Sequence, residues 1–448
     1  MDAKEYWQHY SRRIHRHLAL PCLLIACLVL AFLLHKTFAA SKDFPISINH
    51  LSGDASTLEQ VEINGTTSDS YHRNQFIWDG EKIDVTTTVF DQIQPRTLFA
   101  ERIGNEYVTR TISNDAPYTI LGTALGNEFT IEWMEAYDKN SAVPVQATIR
   151  IPTLPTTSSA SFANPVDYGV TKLGNSVYFT LPTSTQYIGT NGIYKLVANE
   201  VPVSFNKQRD TFDQPIVALD LQVNEDKEHT AFTILGLETI GDHLLLLAHR
   251  SDQLILQRYS IAGQLVQEAI IADVPLANPT TDSSDGFAAT YEIYNNNQLN
   301  QVILQFYNES TDEKLFVTIQ HQEQLTIENI TRISLQQEDV YEAPIQVAEE
   351  DNVHLMPDTR HALYYNDRLY YVTLVYSDAT NVITSPTFAP VHIQLFVYEV
   401  NELTYTGKVV SDLNSDLQGL ATTIGKQQKT RLNDRFLRRY SDIRIQIK

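Results

Sequence analysis

Ser204-Phe-Asn-Lys207 puts a nucleophile and a base at a spacing that some enzymes use. That chemistry also needs a Lys-Thr-Gly element and a Ser-x-Asn element on a mixed helix and sheet fold. Neither accompanies Ser204 and Lys207, so the match reads as chance. No Gly-x-Ser-x-Gly is present to expose a serine on a tight turn, and no His-Glu-x-x-His to hold zinc. Gly-x-Gly-x-x-Gly and Walker loops, which cradle phosphates, are missing as well. Asp282-Ser-Ser-Asp285-Gly286 offers two carboxylates and a glycine but no distal Glu at the spacing of a calcium loop. Asp282 and Asp285 are the first candidates for a divalent ion, with a solvated loop as the competing reading. Asn224-Glu-Asp-Lys-Glu-His229 and Glu349-Glu-Asp-Asn352 read as solvated loops. His243, His249, His354 and His361 are scattered rather than grouped. A carboxylate pair for glycoside hydrolysis is close in space, not in sequence, and none can be picked out. The sequence therefore assigns no catalytic residue, no metal and no cofactor.

Tyrosine is abundant, 23 in 448 residues, and densest at Tyr364, Tyr365, Tyr370, Tyr371 and Tyr376. Strand alternation sends Tyr370 and Tyr376 to one face and Tyr371 to the other. Such residues pack sheets together with the hydroxyl at a wet edge; a carbohydrate or protein contact face is the alternative.

These residues must be positioned by a body whose location is set by the N-terminus. Residues 18–34 form an uncharged apolar run, near the minimum that spans a bilayer. Lys4, Arg12, Arg13 and Arg16 precede it, and the excess of positive residues marks the cytosolic side. The expectation is a cytosolic segment over 1–17, a transmembrane helix over 18–38, a stalk over 39–59 and an extracytoplasmic body beyond. Tyr6, Trp7 and Tyr10 suit the headgroup layer. Cleavage as a signal peptide after residues 37–40, or lipidation at Cys27 of Leu24-Ile-Ala-Cys27, are the other readings of the run. Both cysteines, Cys22 and Cys27, fall inside it. A long cysteine-free exterior fits a bacterial surface protein, Gram-positive in type, better than a disulfide-bonded ectodomain. Asn64-Gly-Thr, Asn308-Glu-Ser and Asn329-Ile-Thr match the glycosylation triplet but occur at chance frequency.

The net charge of −21 excludes nucleic acid as a partner, since that binding rests on Lys and Arg neutralising phosphates. A local basic excess over residues 426–448 reads either as a solvated surface or as a contact for anionic lipid, wall polymer or an acidic partner.

Between residues 60 and 412 short runs rich in Val, Ile, Leu, Tyr, Phe and Thr alternate with Gly, Asn, Asp and Pro, which is a strand signal. Polar turns lead into strands at Gly174, Gly241, Gln298 and Asn366, and second strands run into hairpins after Tyr194, Tyr259, Phe316 and Tyr398. Gly104-Asn-Glu and Gly126-Asn-Glu look like weaker copies of the first marker. A unit of about 60 residues holding four strands is blade-sized, and one blade cannot bury both faces alone. On these residues the chain resembles the β-propeller superfamily. No Trp-Asp repeat, kelch double glycine, Tyr-Trp-Thr-Asp or Ser-x-Asp box is present. The resemblance implies an all-β, six- to seven-bladed β-propeller-like domain over 60–412, with tandem β-sandwiches as the alternative. Phe44–Asn49 and Ile443–Lys448 alternate like half-buried strands, so at least one should pair with the propeller. Residues 152–165 mark a long loop or a boundary, 377–390 an insertion, and 413–448 a basic segment with a short helix and a closing strand.

The function expected on this reading is non-enzymatic: a membrane-anchored protein-interaction, scaffold or sensor module of a bacterial surface complex, with a protein partner in or near the membrane. A surface hydrolase or lyase for wall polymer or glycan, and a sugar- or peptide-binding module, are the alternatives. An exposed apolar patch on a rim or outer strand would favour the first.

Overall fold

The computed structural model describes residues 22, 24–32, 46–68, 72–80, 82–89, 163–164, 166–174, 176–184, 190–197, 215–220, 233–277, 286–334, 346–349, 352–355, 360–376, 391–411 and 439–448, and the backbone of four strands between 108 and 150. In chain order the strands begin with β1 (Ile46–Gly53), β2 (Val61–Ser68), β3 (His72–Asp79) and β4 (Lys82–Val89). Next come β5 (Val108–Thr111), β6 (Tyr118–Leu125), β7 (Glu128–Asp138) and β8 (Ser141–Arg150). A third group is β9 (Val170–Leu173), β10 (Ser176–Phe179), β11 (Thr190–Val197) and β12 (Val217–Asp220). A fourth is β13 (Thr233–Ile240), β14 (His243–Arg250), β15 (Gln253–Tyr259) and β16 (Leu265–Ile271). A fifth is β17 (Tyr291–Asn296), β18 (Gln301–Asn308), β19 (Glu313–Gln320) and β20 (Thr326–Ser334). A hairpin of β21 (Gln346–Glu349) and β22 (Asn352–Leu355) precedes β23 (His361–Tyr365), β24 (Arg368–Tyr376), β25 (Val391–Glu399) and β26 (Glu402–Ser411), and β27 (Arg439–Ile447) ends the chain.

The fold is all-β and propeller-like. Its described strands form five four-stranded sheets, one five-stranded sheet and the β21–β22 hairpin. Each larger sheet is built on an antiparallel meander, and no sheet closes into a barrel. Among the described residues, three apolar cores lie between neighbouring sheets. One joins β13–β16 to β17–β20 through Leu245, Leu247, Val302 and Leu304. The next joins β17–β20 to β23–β26 through Ile303, Phe316, Tyr371 and Phe396. The third joins β23–β26 to β2, β3 and β27 through Val372, Leu395, Trp78 and Ile445. The β17–β20 sheet is thus covered on both faces, which overturns a two-layer sandwich for this region, because a sandwich sheet buries one face only. This explains the consecutive apolar runs: Leu244–Ala248 are all buried because odd and even residues serve different neighbours.

The repeat markers fall in phase. Gly174, Gly241 and Asn366 sit in the turns between the first and second strands of their sheets, all with positive φ, as does Asn300 just before β18. Asn366-Asp367, Ser251-Asp252 and Val400-Asn401 are two-residue loops with both φ values positive, the geometry whose twist matches flanking antiparallel strands. Tyr259, Phe316 and Tyr398 lie in third strands that turn back tightly, as expected. The hairpin expected after Tyr194 falls on residues 198–201, outside the described residues. One marker is corrected. Gly126 lies between the second and third strands of its sheet, one strand out of phase, because any polar turn before an apolar strand has the same appearance.

Both terminal segments pair with the body. β27 joins β2, with Ile63 opposite Ile445, and completes the first sheet. β1 adds to the outer edge of β26, with Ile48 opposite Val409. The part of the predicted stalk from residue 46 onward is therefore part of the fold: Leu58 is buried, and Lys448 donates to the carbonyls of Leu58 and Glu59. The predicted stretch 377–390, the short helix in 413–448 and most of 152–165 lie outside the described residues. Residues 24–32 are helical with Leu24, Ile25, Leu28, Leu30 and Phe32 exposed. Among the described residues no helix is long and apolar enough to cross a membrane.

Candidate functional site

Among the described residues, the side chains singled out for chemistry do not converge. Ser204, Lys207, Asp282 and Asp285 lie outside the described residues, and His354 is described only as backbone in β22. The other three histidines occupy three separate places. His243 follows the β13–β14 turn, paired with Asp242, and its Nδ1 lies 3.0 Å from Arg258 Nη2. His249, near the end of β14, places Nε2 2.8 Å from the Val274 carbonyl, and burial pushes its pKa down. His361 opens β23, and its Nδ1 accepts the Ile445 N–H of β27 at 3.3 Å. Burial first, and then Arg444, push His361 down to about 4. Among the described residues no three His, Cys, Asp or Glu side chains are grouped to hold a metal ion.

Among the described residues, a dense polar cluster lies between β17–β20 and β23–β26. Glu292 on β17 receives Arg360 at 2.5 Å on Oε1 and the Tyr294 hydroxyl at 2.5 Å on Oε2. Arg360 Nε also donates to Thr373 Oγ1 at 3.2 Å, and Gln305 lies 2.9 Å from the Tyr294 hydroxyl. Burial, reinforced by Glu292, raises Tyr294 well above the usual tyrosine pKa. It is a neutral donor, not a latent phenolate. With both oxygens of Glu292 engaged, no lone carboxylate is left to act as a base. Nearby, Lys314 donates to the Tyr371 hydroxyl at 3.0 Å and sits 5.0 Å above that ring. The cluster holds sheets together and presents no reactive group.

Two glutamines act as latches in successive interfaces. Gln267 on β16 bonds both the N–H and the carbonyl of Leu325 at 2.6 Å. Gln301 on β18 does the same to Tyr364, at 3.1 Å and 2.9 Å. Each fills a backbone donor and acceptor, partly buried at Leu325 and buried at Tyr364. Sequence reasoning missed both, since glutamine inside a strand carries no motif. Tyr370 and Tyr371 fall on opposite faces and in different cores, as alternation predicted, and both are fully buried. The glycosylation triplets have structural duties: Asn64 donates to Gln446, and Asn308 accepts from Ser310 and Thr311 in a turn.

The feature that departs from ordinary surface chemistry is β16. Among the described residues it is the last strand of its sheet, paired on one side only to β15. Gln267, Ala269 and Ile271 turn towards the β17–β20 side. Val266 lies in a bulge opposite the Arg258–Tyr259 step, and beyond it Glu268 and Ile270 turn the other way. Leu265, Val266 and Ile270 are each about half exposed, at 52, 51 and 49%, with Ile261 of the preceding turn at 49%. The outer strands β4, β20 and β1 are better guarded. β4 exposes Lys82, Asp84, Thr86 and Thr88; β20 exposes Thr326, Glu328 and Ile330; β1 exposes Ser47, Asn49, His50 and Leu51. Edge strands are normally protected by such polar and charged residues.

No family model matches the chain, and no curated protein matches it. Among solved structures it is similar to a protein from Lactobacillus plantarum, at 12% identity over 77% of this chain and 81% of that one, TM-score 0.29. It is similar to the Nup133 β-propeller domain of Vanderwaltozyma polyspora, at 11% identity over 82% and 97%, TM-score 0.26. It is also similar to oligopeptidase B from Leishmania major, at 8% identity over 78% of this chain and 42% of that one, TM-score 0.27. At such TM-scores these likenesses carry no argument about function. The propeller-like reading stands on the strand pairing and on cores buried between successive sheets.

Proposed function

We propose that the chain is a six-bladed, propeller-like protein-interaction module, tethered by its N-terminal apolar segment to the outer face of a bacterial membrane. The six larger sheets serve as blades, with β27 completing the first and β1 widening the last. The observation that carries the reading is the apolar outer face of β16, the kind of rim patch that marks a contact site in a soluble body. The polar clusters support it, because their carboxylate, arginine and glutamines are spent on joining sheets. The tether is supported by the charge asymmetry around residues 18–34 and by the exposed apolar side chains of residues 24–32.

Affinity purification of the full chain from detergent-solubilised membranes tests the function. The expected result is one stoichiometric membrane partner. A lone protein that degrades wall polymer rejects the reading in favour of the hydrolase alternative. For the tether, protease added to intact cells should remove the body; a full-length chain recovered in the soluble cytoplasm overturns it.

A further inference from the structure

We infer that β16 receives an extended strand of a partner protein, paired along its free edge, apolar at alternate positions and carrying a lysine or arginine opposite Glu268. The inference rests on the interaction role proposed above and specifies its mode. Three observations support it. The first is the free edge: β16 pairs with β15 alone among the described residues, and its outward apolar residues are half exposed. The second is an internal precedent. At the equivalent edge of the last sheet, β1 adds antiparallel to β26 as a fifth strand, burying Ile46 and partly burying Ile48. This fold thus already accepts a strand on an outer edge, and strand addition draws affinity from main-chain bonds and specificity from alternate side chains.

The third observation is charge. Glu268 stands between Val266 and Ile270, and Asp252 and Asp273, both exposed, stand near the far end of the strand. A second copy of this chain is a poor occupant: antiparallel self-pairing centred on the exposed stretch sets Glu268 against its own copy, and like charges directly opposite are destabilising. A basic strand meets the same row favourably. Val266 and Ile270 then pack on its apolar side chains and Glu268 faces its cation.

The probe is the acetylated peptide Lys-Thr-Val-Thr-Lys-Thr-Ile-Thr-Lys, fluorescently labelled and titrated with the detergent-solubilised full chain. Binding by anisotropy is expected, with amide exchange slowed over residues 265–271. The double variant V266T/I270T, which keeps strand propensity, should weaken binding at least tenfold. A peptide with its central lysine replaced by glutamate should also bind at least tenfold more weakly. Failure of the peptide to bind, protection elsewhere than β16, or indifference to the double variant overturns the inference. Concentration-dependent self-association abolished by V266T/I270T also overturns it, in favour of a second copy. A membrane partner that copurifies equally with wild type and double variant removes the strand mode while leaving the interaction role standing.

Discussion

At the scale of single residues, the stability of this protein depends on backbone groups satisfied by side chains from the next sheet. Gln301 is the clearest case: its amide closes a two-bond ring with the backbone of Tyr364, in a site where Gln301 is almost fully buried. Replacing it with leucine keeps the volume and leaves a donor and an acceptor unpaired, a cost of about 2–4 kcal/mol. Urea unfolding of Gln301→Leu should therefore show a lower midpoint, and an unchanged midpoint would mean that water fills the site. Val400 offers the opposite sign. It is β-branched, held at φ 49°, and 84% exposed. A left-handed conformation costs such a residue about 1–2 kcal/mol, whereas asparagine tolerates it. Val400→Asn should raise stability by about 1 kcal/mol, read as an upward shift of the same midpoint. Asn401 must be retained, because its Oδ1 accepts the Arg332 N–H at 2.9 Å.

At the scale of elements, the seam between the last and first sheets depends on β27. Ile443 and Ile445 are buried at 1% exposure in the core shared with Trp78 and Val372. Ile445→Ala should cost about 2–5 kcal/mol, and removal of residues 439–448 should abolish cooperative unfolding followed by tryptophan fluorescence, since Trp78 lies in that core. A cooperative transition surviving the deletion would show that the first sheet stands without its terminal strand. This pairing was readable in advance, because Ile443-Arg-Ile-Gln-Ile alternates with period two, as a half-buried strand does. The four-strand period was readable for a similar reason: a turn requiring positive φ, as at Gly241 or Asn366, recruits Gly, Asn or Asp each time. Other elements were not. β16 reads Leu-Val-Gln-Glu-Ala-Ile-Ile, which resembles any covered strand, and exposure depends on how far the neighbouring sheet reaches. The Gln267 and Gln301 latches were invisible because their partners are backbone groups 58 and 63 residues away. The Arg360–Glu292 pair spans 68 residues and has no local signature either.

For the whole molecule, the buried histidines predict a stability that falls as pH falls. His361 is held near 4 in the folded state against an ordinary 6.5, chiefly by burial and then by Arg444. His249, His321 and His392 are lowered too, each by burial first. Above about pH 6.5 these rings are neutral whether the chain is folded or not, and their contribution does not change. Between about 6.5 and 4 the unfolded chain takes up protons that the folded chain refuses, so stability declines with falling pH. Below about 4 the His361 ring is protonated in both states and its part of the slope ends. For His361 the loss is on the order of 2 kcal/mol, allowing for its partial exposure. Its geometry places that loss at the seam. A protonated Nδ1 cannot accept the Ile445 N–H, and the new charge sits under the influence of Arg444, with the Tyr294 ring 6.0 Å away. The check is the free energy of unfolding in urea from pH 4 to 8, compared between wild type and His361→Asn, whose amide oxygen can accept the bond but cannot titrate. The variant should show a shallower decline between pH 6.5 and 4, and hydrogen exchange in β27 of the wild type should quicken over the same interval. Parallel curves for the two proteins would assign the acid sensitivity to the other three histidines or to the carboxylates, and would leave the seam indifferent to pH.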